Sequence, residues 1–227
     1  SIPAEKRINL DGCYEMKPYQ HTVLSYAEAC GVKLEPNDWF PELFINDEEY
    51  EWAERWTEGR RWAALHTGPI ETVGRTLLPD LVNSIIKYLV KNQFHIYRVS
   101  PENHHTLHEM AAIIGECELF VGADSLPMHL AQMQGVATVG IYGAISPLNW
   151  QIPNIPWIKA VTAKPLRVGC LGCNREYPPP RTGPLCIRAG ENFNLCMKRI
   201  EPQDVFDAIE GVLSEHKRNG QIQASHD

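Results

Sequence analysis

Five short apolar runs punctuate the chain after position 60, at residues 61–65, 94–99, 119–121, 137–142 and 157–161. Each is too brief for a helix and is bounded by Gly, Pro or polar residues, so each predicts a buried strand. The stretches between them have a different texture. Leu81, Ile85, Ile86 and Leu89 recur at helical spacing and predict a helix from Pro79 or Asp80 to Lys91, opened by the proline. Leu107, Met110, Ala111 and Ile114 predict another, which runs into the third strand. Strands alternating with helices predict the α/β class, with a Rossmann-like, doubly wound parallel sheet whose ligands sit at the carboxyl ends of its strands.

The flanks are less regular. Residues 1–58 read as an opening segment: a short strand at 7–10, a helix over about 20–30 closed by Gly31, a brief strand within WFPELFIND, and an acidic helix from Asp47. Residues 59–164 hold the predicted sheet domain, 165–200 form a segment rich in Cys and Pro, and 201–227 carry a last helix from Pro202 to about Glu215 with a frayed end after Lys217.

The most informative stretch is 118–147, ELFVGADSLPMHLAQMQGVATVGIYGAISP. Its first apolar run stops at Gly122, Asp124 or Ser125 can cap a short helix through Gln134, and Gly135 suits the end of that helix. A helix N-terminus at a strand end offers backbone N–H groups and partial positive charge to an anion, with phosphate the natural guest. The same residues also suit an ordinary helix cap.

Composition narrows the partners. With 227 residues, 44% of them hydrophobic, the chain can bury a substantial core in one large or two small domains. A net charge of -7 argues against a nucleic-acid footprint, so an anionic ligand must be met by local positive groups. No run of apolar residues is long enough to predict a transmembrane helix, and the opening SIPAEKRINL does not have the pattern of a signal peptide, which makes the cytoplasm the expected location. The chain opens on Ser1 rather than Met, which leaves room for a segment upstream.

Cysteine and histidine supply candidate chemistry. Cys170, Cys173, Cys186 and Cys196 follow the order C-x2-C-x12-C-x9-C, a set that can hold zinc, with iron as the competitor, or else form two disulfides or stay as thiols. A closed four-thiolate site would be structural, stapling a segment too rich in Pro to order itself. Cys13, Cys30 and Cys117 read as small apolar residues. His104, His105 and His108 invite a metal reading, but without a partnering Glu-x-x-His pattern they fit a surface helix start better.

The residues DSLPMHLA, followed by a Gly-containing loop, an apolar strand and YGAISP, resemble the D-S/T-G-x-x-H-x-A segment of glycosyltransferase family 9, the heptosyltransferase-like enzymes of GT-B architecture. Leu126 departs from the pattern, standing where that family usually has Gly or Ala. The tail CMKRIEPQDVFDAIEGVL is similar to the family's ending, and HTVLSYAEACGV resembles the join between its two domains. The resemblance implies a C-terminal nucleotide-sugar-binding domain with a Cys-rich metal finger. It makes Asp124, Ser125, Leu126, Met128 and His129 candidates for the donor diphosphate or sugar, Thr67 and Arg75 for the phosphates, and Glu102 for the ribose. It also implies a donor such as ADP-heptose and a saccharide or protein acceptor. The loop GAISPLNWQIPN resembles one that closes over the donor, where Trp150 could stack on a base or sugar. The family's first domain, with the aspartate that serves as its probable base, is mostly absent here, so a base would come from a missing N-terminal domain, a partner chain or an acidic residue such as Asp11. A non-catalytic module that binds sugar nucleotides or serves assembly is the other reading.

Overall fold

The computed structural model describes residues 7–13, 17, 20–35, 38, 43–68, 74–164, 186, 191 and 194–223, the side chains of 220–223 excepted. In chain order the elements are α1 (Thr22–Cys30), α2 (Asp47–Thr57), β1 (Trp62–His66), α3 (Pro79–Lys91), β2 (His95–Arg98), α4 (Leu107–Gly115), β3 (Leu119–Ala123), α5 (Leu126–Met133), β4 (Ala137–Ile141), α6 (Pro147–Trp150), β5 (Ile158–Val161), α7 (Leu195–Lys198) and α8 (Pro202–Gln223). The strands form one sheet in the order β2-β1-β3-β4-β5, and every ladder is parallel. The winding reverses between β1 and β3. One strand feeds α3 and moves outward to β2, the other feeds α5 and moves outward to β4, so the loops leaving their carboxyl ends part and open a crevice.

Alternation along the strands sets the two faces. Leu65, Leu119, Val121, Val139 and Ile141 pack against Leu81, Ile85 and Leu89 of α3 and Val205, Ile209 and Val212 of α8. Ala64, Phe120 and Tyr142 point the other way, into a cluster that includes Ala53 of α2, Ala111 and Ile114 of α4, and Met128 and Leu130 of α5. With helices on both sides, β3 and β4 are buried at every position, which is why their sequences read as unbroken apolar runs. Each fully buried Leu, Ile or Val there contributes about 1.5–3 kcal/mol relative to exposure. Local signals fix the helix ends. Asn46 and Glu49 cap α2 reciprocally, Thr106 and Glu109 do the same for α4, and Gly31, at φ 70°, closes α1 in the left-handed region. Strands β2 and β5 form the two edges, with His95, Arg98 and Lys159 exposed along them.

The structure corrects several expectations. Residues 7–10 are exposed and form no strand, since no ladder partner reaches them among the described residues. Residues 43–46 of the WFPELFIND stretch are likewise outside any strand, and serve as the lead-in to the Asn46 cap. Helix α8 continues to Gln223 rather than ending near Glu215, its last turns supported by the Glu215–Arg218 pair at 3.3 Å. The three histidines do not share a helix face. His104 sits at φ 55° after a 3-10 turn over Pro101–Asn103, His105 meets the Tyr97 hydroxyl at 2.9 Å, and His108 pairs with Glu49 of α2 at 3.2 Å.

Candidate functional site

The β3–α5 turn stands at the crevice. Ser125 takes the N-cap position of α5, yet its hydroxyl donates back to the Ala123 carbonyl at 3.1 Å and caps nothing, contrary to the sequence expectation. The first helical turn is also less open than its composition suggests. Pro127 has no N–H, and the N–H groups of Met128 and His129 donate to the Ser125 carbonyl at 3.1 and 3.4 Å. Among the described residues, the N–H groups of Ser125 and Leu126 remain as the donors at the positive end of the helix. Met128 corrects another expectation. Its side chain is wholly buried and its sulfur accepts from the Tyr142 hydroxyl at 3.3 Å, so it packs the core beneath the turn and does not face a ligand. Leu126 is 53% exposed at the mouth.

Asp124 is only 4% exposed and gathers the charged groups. Arg75 donates from Nη2 and Nε to the Asp124 backbone carbonyl at 2.8 and 3.2 Å, and its Nη2 lies 3.7 Å from the carboxylate. The other carboxylate oxygen is 3.6 Å from Nε2 of His129. Arg75 therefore uses two of its donors to lock the turn rather than presenting its whole fork to a phosphate, while leaving a guanidinium charge beside the helix N-terminus. The Tyr142 hydroxyl, beneath, is held well above the usual phenol range by burial and then by the charge of Asp124. Trp150 has its ring 6.0 Å from that of His129. The opening segment also reaches this corner: Asn149 donates to the Gln20 carbonyl at 2.8 Å, and burial, with the nearby His129, lowers the pKa of His21.

A second group of expected residues lines a cleft of about 410 Å³ at the carboxyl ends of β1 and β2, which brings Thr67 and Glu102 together with Arg98, Ser100 and Asn103. His66, not foreseen from the sequence, joins the two groups. Its Nδ1 lies 3.1 Å from the Val99 carbonyl, which requires the proton on that nitrogen and leaves Nε2 an acceptor in the neutral ring. Burial lowers its pKa, and the positive charge of Arg75 lowers it further. Gly122, paired with His66 across the ladder, makes room for this end of β1, since a Cβ there would come within 2.6 Å of the His66 carbonyl. A polar residue directly after an apolar strand run was the signal that could have identified His66.

Three segments interlock behind the turn. The Gly74 N–H donates to Asn194 Oδ1 at 2.9 Å, and the Ala144 N–H donates to the Gly74 carbonyl at 3.0 Å. Gly143 sits where a Cβ would meet that carbonyl at 2.5 Å and the Met197 sulfur at 2.4 Å. The loops after β1 and β4 are thus fastened to the start of α7, which carries Cys196. Of the four clustered cysteines, Cys196 is buried, Cys186 is half-buried, and Cys170 and Cys173 lie outside the described residues. Among the described residues no group of three metal-ligating side chains assembles, and no helix is long and apolar enough to cross a membrane.

A reversing parallel sheet, with a helix N-terminus and a clamped arginine at its crevice, defines an α/β domain with positive groups at its carboxyl edge. In sequence, residues 82–177 match the family model of Glycosyltransferase family 9 (heptosyltransferase). It is 27% identical over 139 residues to lipooligosaccharide heptosyltransferase 2 of Campylobacter jejuni, a match that takes in 59% of this chain and 37% of that protein. Its fold is similar to that of a family 9 glycosyltransferase from Veillonella parvula, with TM-score 0.63 and 17% identity over 92% of this chain and 63% of that one. It is also similar to the dodecameric iron-containing heptosyltransferase TibC in complex with ADP-D-beta-D-heptose, with TM-score 0.64 and 13% identity over 95% and 59%. The Escherichia coli ADP-heptose heptosyltransferase II gives TM-score 0.55 and 15% identity over 78% and 54%. The chain therefore spans little more than a third of the curated relative and between about half and two thirds of these structures.

Proposed function

We propose that this chain is the donor-binding half of a GT-B glycosyltransferase that moves heptose from a nucleoside diphosphate, ADP-heptose by analogy with the proteins it is similar to, onto a saccharide or protein acceptor. The observation that carries the reading is the Asp124–Ser125 turn at the point where the sheet reverses, with Arg75 clamped against it. Cleavage of a nucleotide sugar leaves a diphosphate, so negative charge grows on phosphate oxygens in the transition state. The N–H groups of Ser125 and Leu126, the positive end of α5 and the Arg75 guanidinium favour that charge. His129 can donate to a phosphate oxygen while Asp124 orients it. Thr67 offers a hydroxyl to the phosphates, and Glu102 and His66 offer acceptors to the ribose hydroxyls in the adjoining cleft. The acceptor hydroxyl must lose its proton to a base, which we assign to a preceding domain or a partner chain.

Residues 59–164 with 201–223 form the donor domain in this reading, residues 1–58 the join to whatever precedes it, and 165–200 a metal-stapled finger. The four cysteines supply the thiolates a closed zinc or iron site needs, and such a metal contributes folding energy while the transfer proceeds on the side chains above. Leu126, large and exposed at the mouth, favours a second reading in which the domain binds a sugar nucleotide without turnover.

Calorimetry decides the donor site. ADP-heptose or ADP is expected to bind the wild-type chain and to bind Asp124→Ala at least about tenfold more weakly, a loss of about 1.4 kcal/mol. Absence of heat with either ligand, or equal affinity in the variant, would sink the assignment. Transfer or hydrolysis of bound donor separates the enzyme from the binding module. For the finger, metal analysis should find about one ion per wild-type chain and a clear loss in Cys173→Ser; values near zero in both would remove it.

A further inference from the structure

We infer that the first turn of α1 acts on the donor turn from the side, with His21 and Asn149 as positioning residues that hold Trp150 and His129 at the mouth of the site; the inference rests on the donor reading above. The stretch that bears α6 cannot fix itself, because its helix is a single turn of four residues, Pro147–Trp150. Its anchors come from two other elements. On one side the buried Asn149 side chain donates from Nδ2 to the Gln20 carbonyl at 2.8 Å. On the other, the Ile152 N–H donates to Oε1 of Gln132, buried on α5, at 3.1 Å. Trp150 falls between the two ties in sequence, and its ring stands 6.0 Å from that of His129 in the first turn of α5.

His21 completes the corner. It is the N-cap of α1, where its Nδ1 accepts from the Val23 N–H at 3.3 Å, and a neutral ring in this role carries its proton on Nε2. The forces on the ring show what surrounds it. Burial lowers its pKa most and the charge of His129 lowers it further, while backbone hydrogen bonding to Gln151 and Trp150 works the other way. The ring therefore stands against both His129 and the end of α6. Thr22 and Ser25, next on the helix, are buried, so the opening segment is packed here and is not a free tether. This matters for binding because His129 is the side chain that offers a proton to a phosphate, and a ring already held in place loses less freedom when the ligand arrives. Asp124 lies 3.6 Å from its Nε2, and Trp150 and His21 are the further neighbours that confine it.

The test is a double-mutant cycle read by calorimetry with ADP on the wild-type chain, His21→Asn, His129→Ala and the pair, with Asn149→Ala as a separate arm. Asparagine is among the best N-caps, so His21→Asn keeps the start of α1 while removing the ring. His21→Asn and Asn149→Ala are each expected to bind ADP at least about threefold more weakly than wild type, within what ordering one side chain costs. In the His129→Ala background the effect of His21→Asn should disappear, because a residue that acts through His129 has nothing left to position. Unchanged ADP binding by His21→Asn or by Asn149→Ala, or a loss of the same size with and without His129, overturns the inference and leaves the donor site standing. If the wild type binds no ADP, the donor reading fails and this inference with it.

Discussion

At the scale of single residues, two half-buried histidines link the site to pH. His66 and His21 both have pKa values pushed below the ordinary imidazole range, in each case mainly by burial. In the unfolded chain they titrate near about 6.5. As pH falls through that value the unfolded state takes up protons that the folded state resists, so the stability these rings contribute is present above about 6.5 and is lost as pH drops toward their folded pKa values. The melting temperature should therefore fall between pH 7.5 and pH 5.5, and His66→Gln should flatten part of that dependence. An identical slope in wild type and variant would show that the fold does not hold His66 in its neutral form. The polar turn itself was legible, because Asp124 and Ser125 interrupt two apolar runs. His66 and His21 were not, because what gives each its role is a tertiary neighbour: the Val99 carbonyl on the next strand for one, His129 on a distant helix for the other. Met128 misled for the same reason. Its place in the resembling motif suggested a ligand contact, and only the packing of Tyr142 shows the side chain turned inward.

At the scale of elements, the five strands and helices α3 and α4 followed from the apolar pattern, because a sheet covered on both faces forces apolar runs and its crossover helices force helical spacing, whereas the short α6 lies in a stretch that reads as a loop. The opening segment obeyed no such constraint. Residues 7–10 have strand-like composition but no ladder to join, and residues 43–46 were claimed by the cap of α2. Least legible was the junction of Gly74, Gly143 and Asn194, three loop residues far apart in sequence whose contacts no local pattern announces. That junction makes a sharp prediction. Gly143→Ala places a methyl group against the Gly74 carbonyl and the Met197 sulfur, and should cost about 1–3 kcal/mol in urea unfolding, as overpacking does. A variant as stable as wild type would mean that the loops after β1 and β4 separate more readily than their hydrogen bonds imply.

At the scale of the whole molecule, a ligand that binds only the folded chain must stabilise it. ADP at a hundredfold excess over its Kd should add about 2.7 kcal/mol of apparent stability, seen as a rise in melting temperature that Asp124→Ala reduces at the same ADP concentration. An equal rise in both proteins would place the nucleotide away from the turn.

Among the described residues the parallel sheet also has two open edges, and this bears on how the protein behaves in solution. A bare strand edge is a template on which another chain can add, and charged side chains are a common safeguard against it. His95 and Arg98 guard β2, and exposed Lys159, with Lys164 just beyond, guards β5. Protection of this edge then depends on very few groups: chemical acetylation of those lysines would strip the positive charges from the β5 edge, and the expected cost is precipitation on storage rather than any change in the fold.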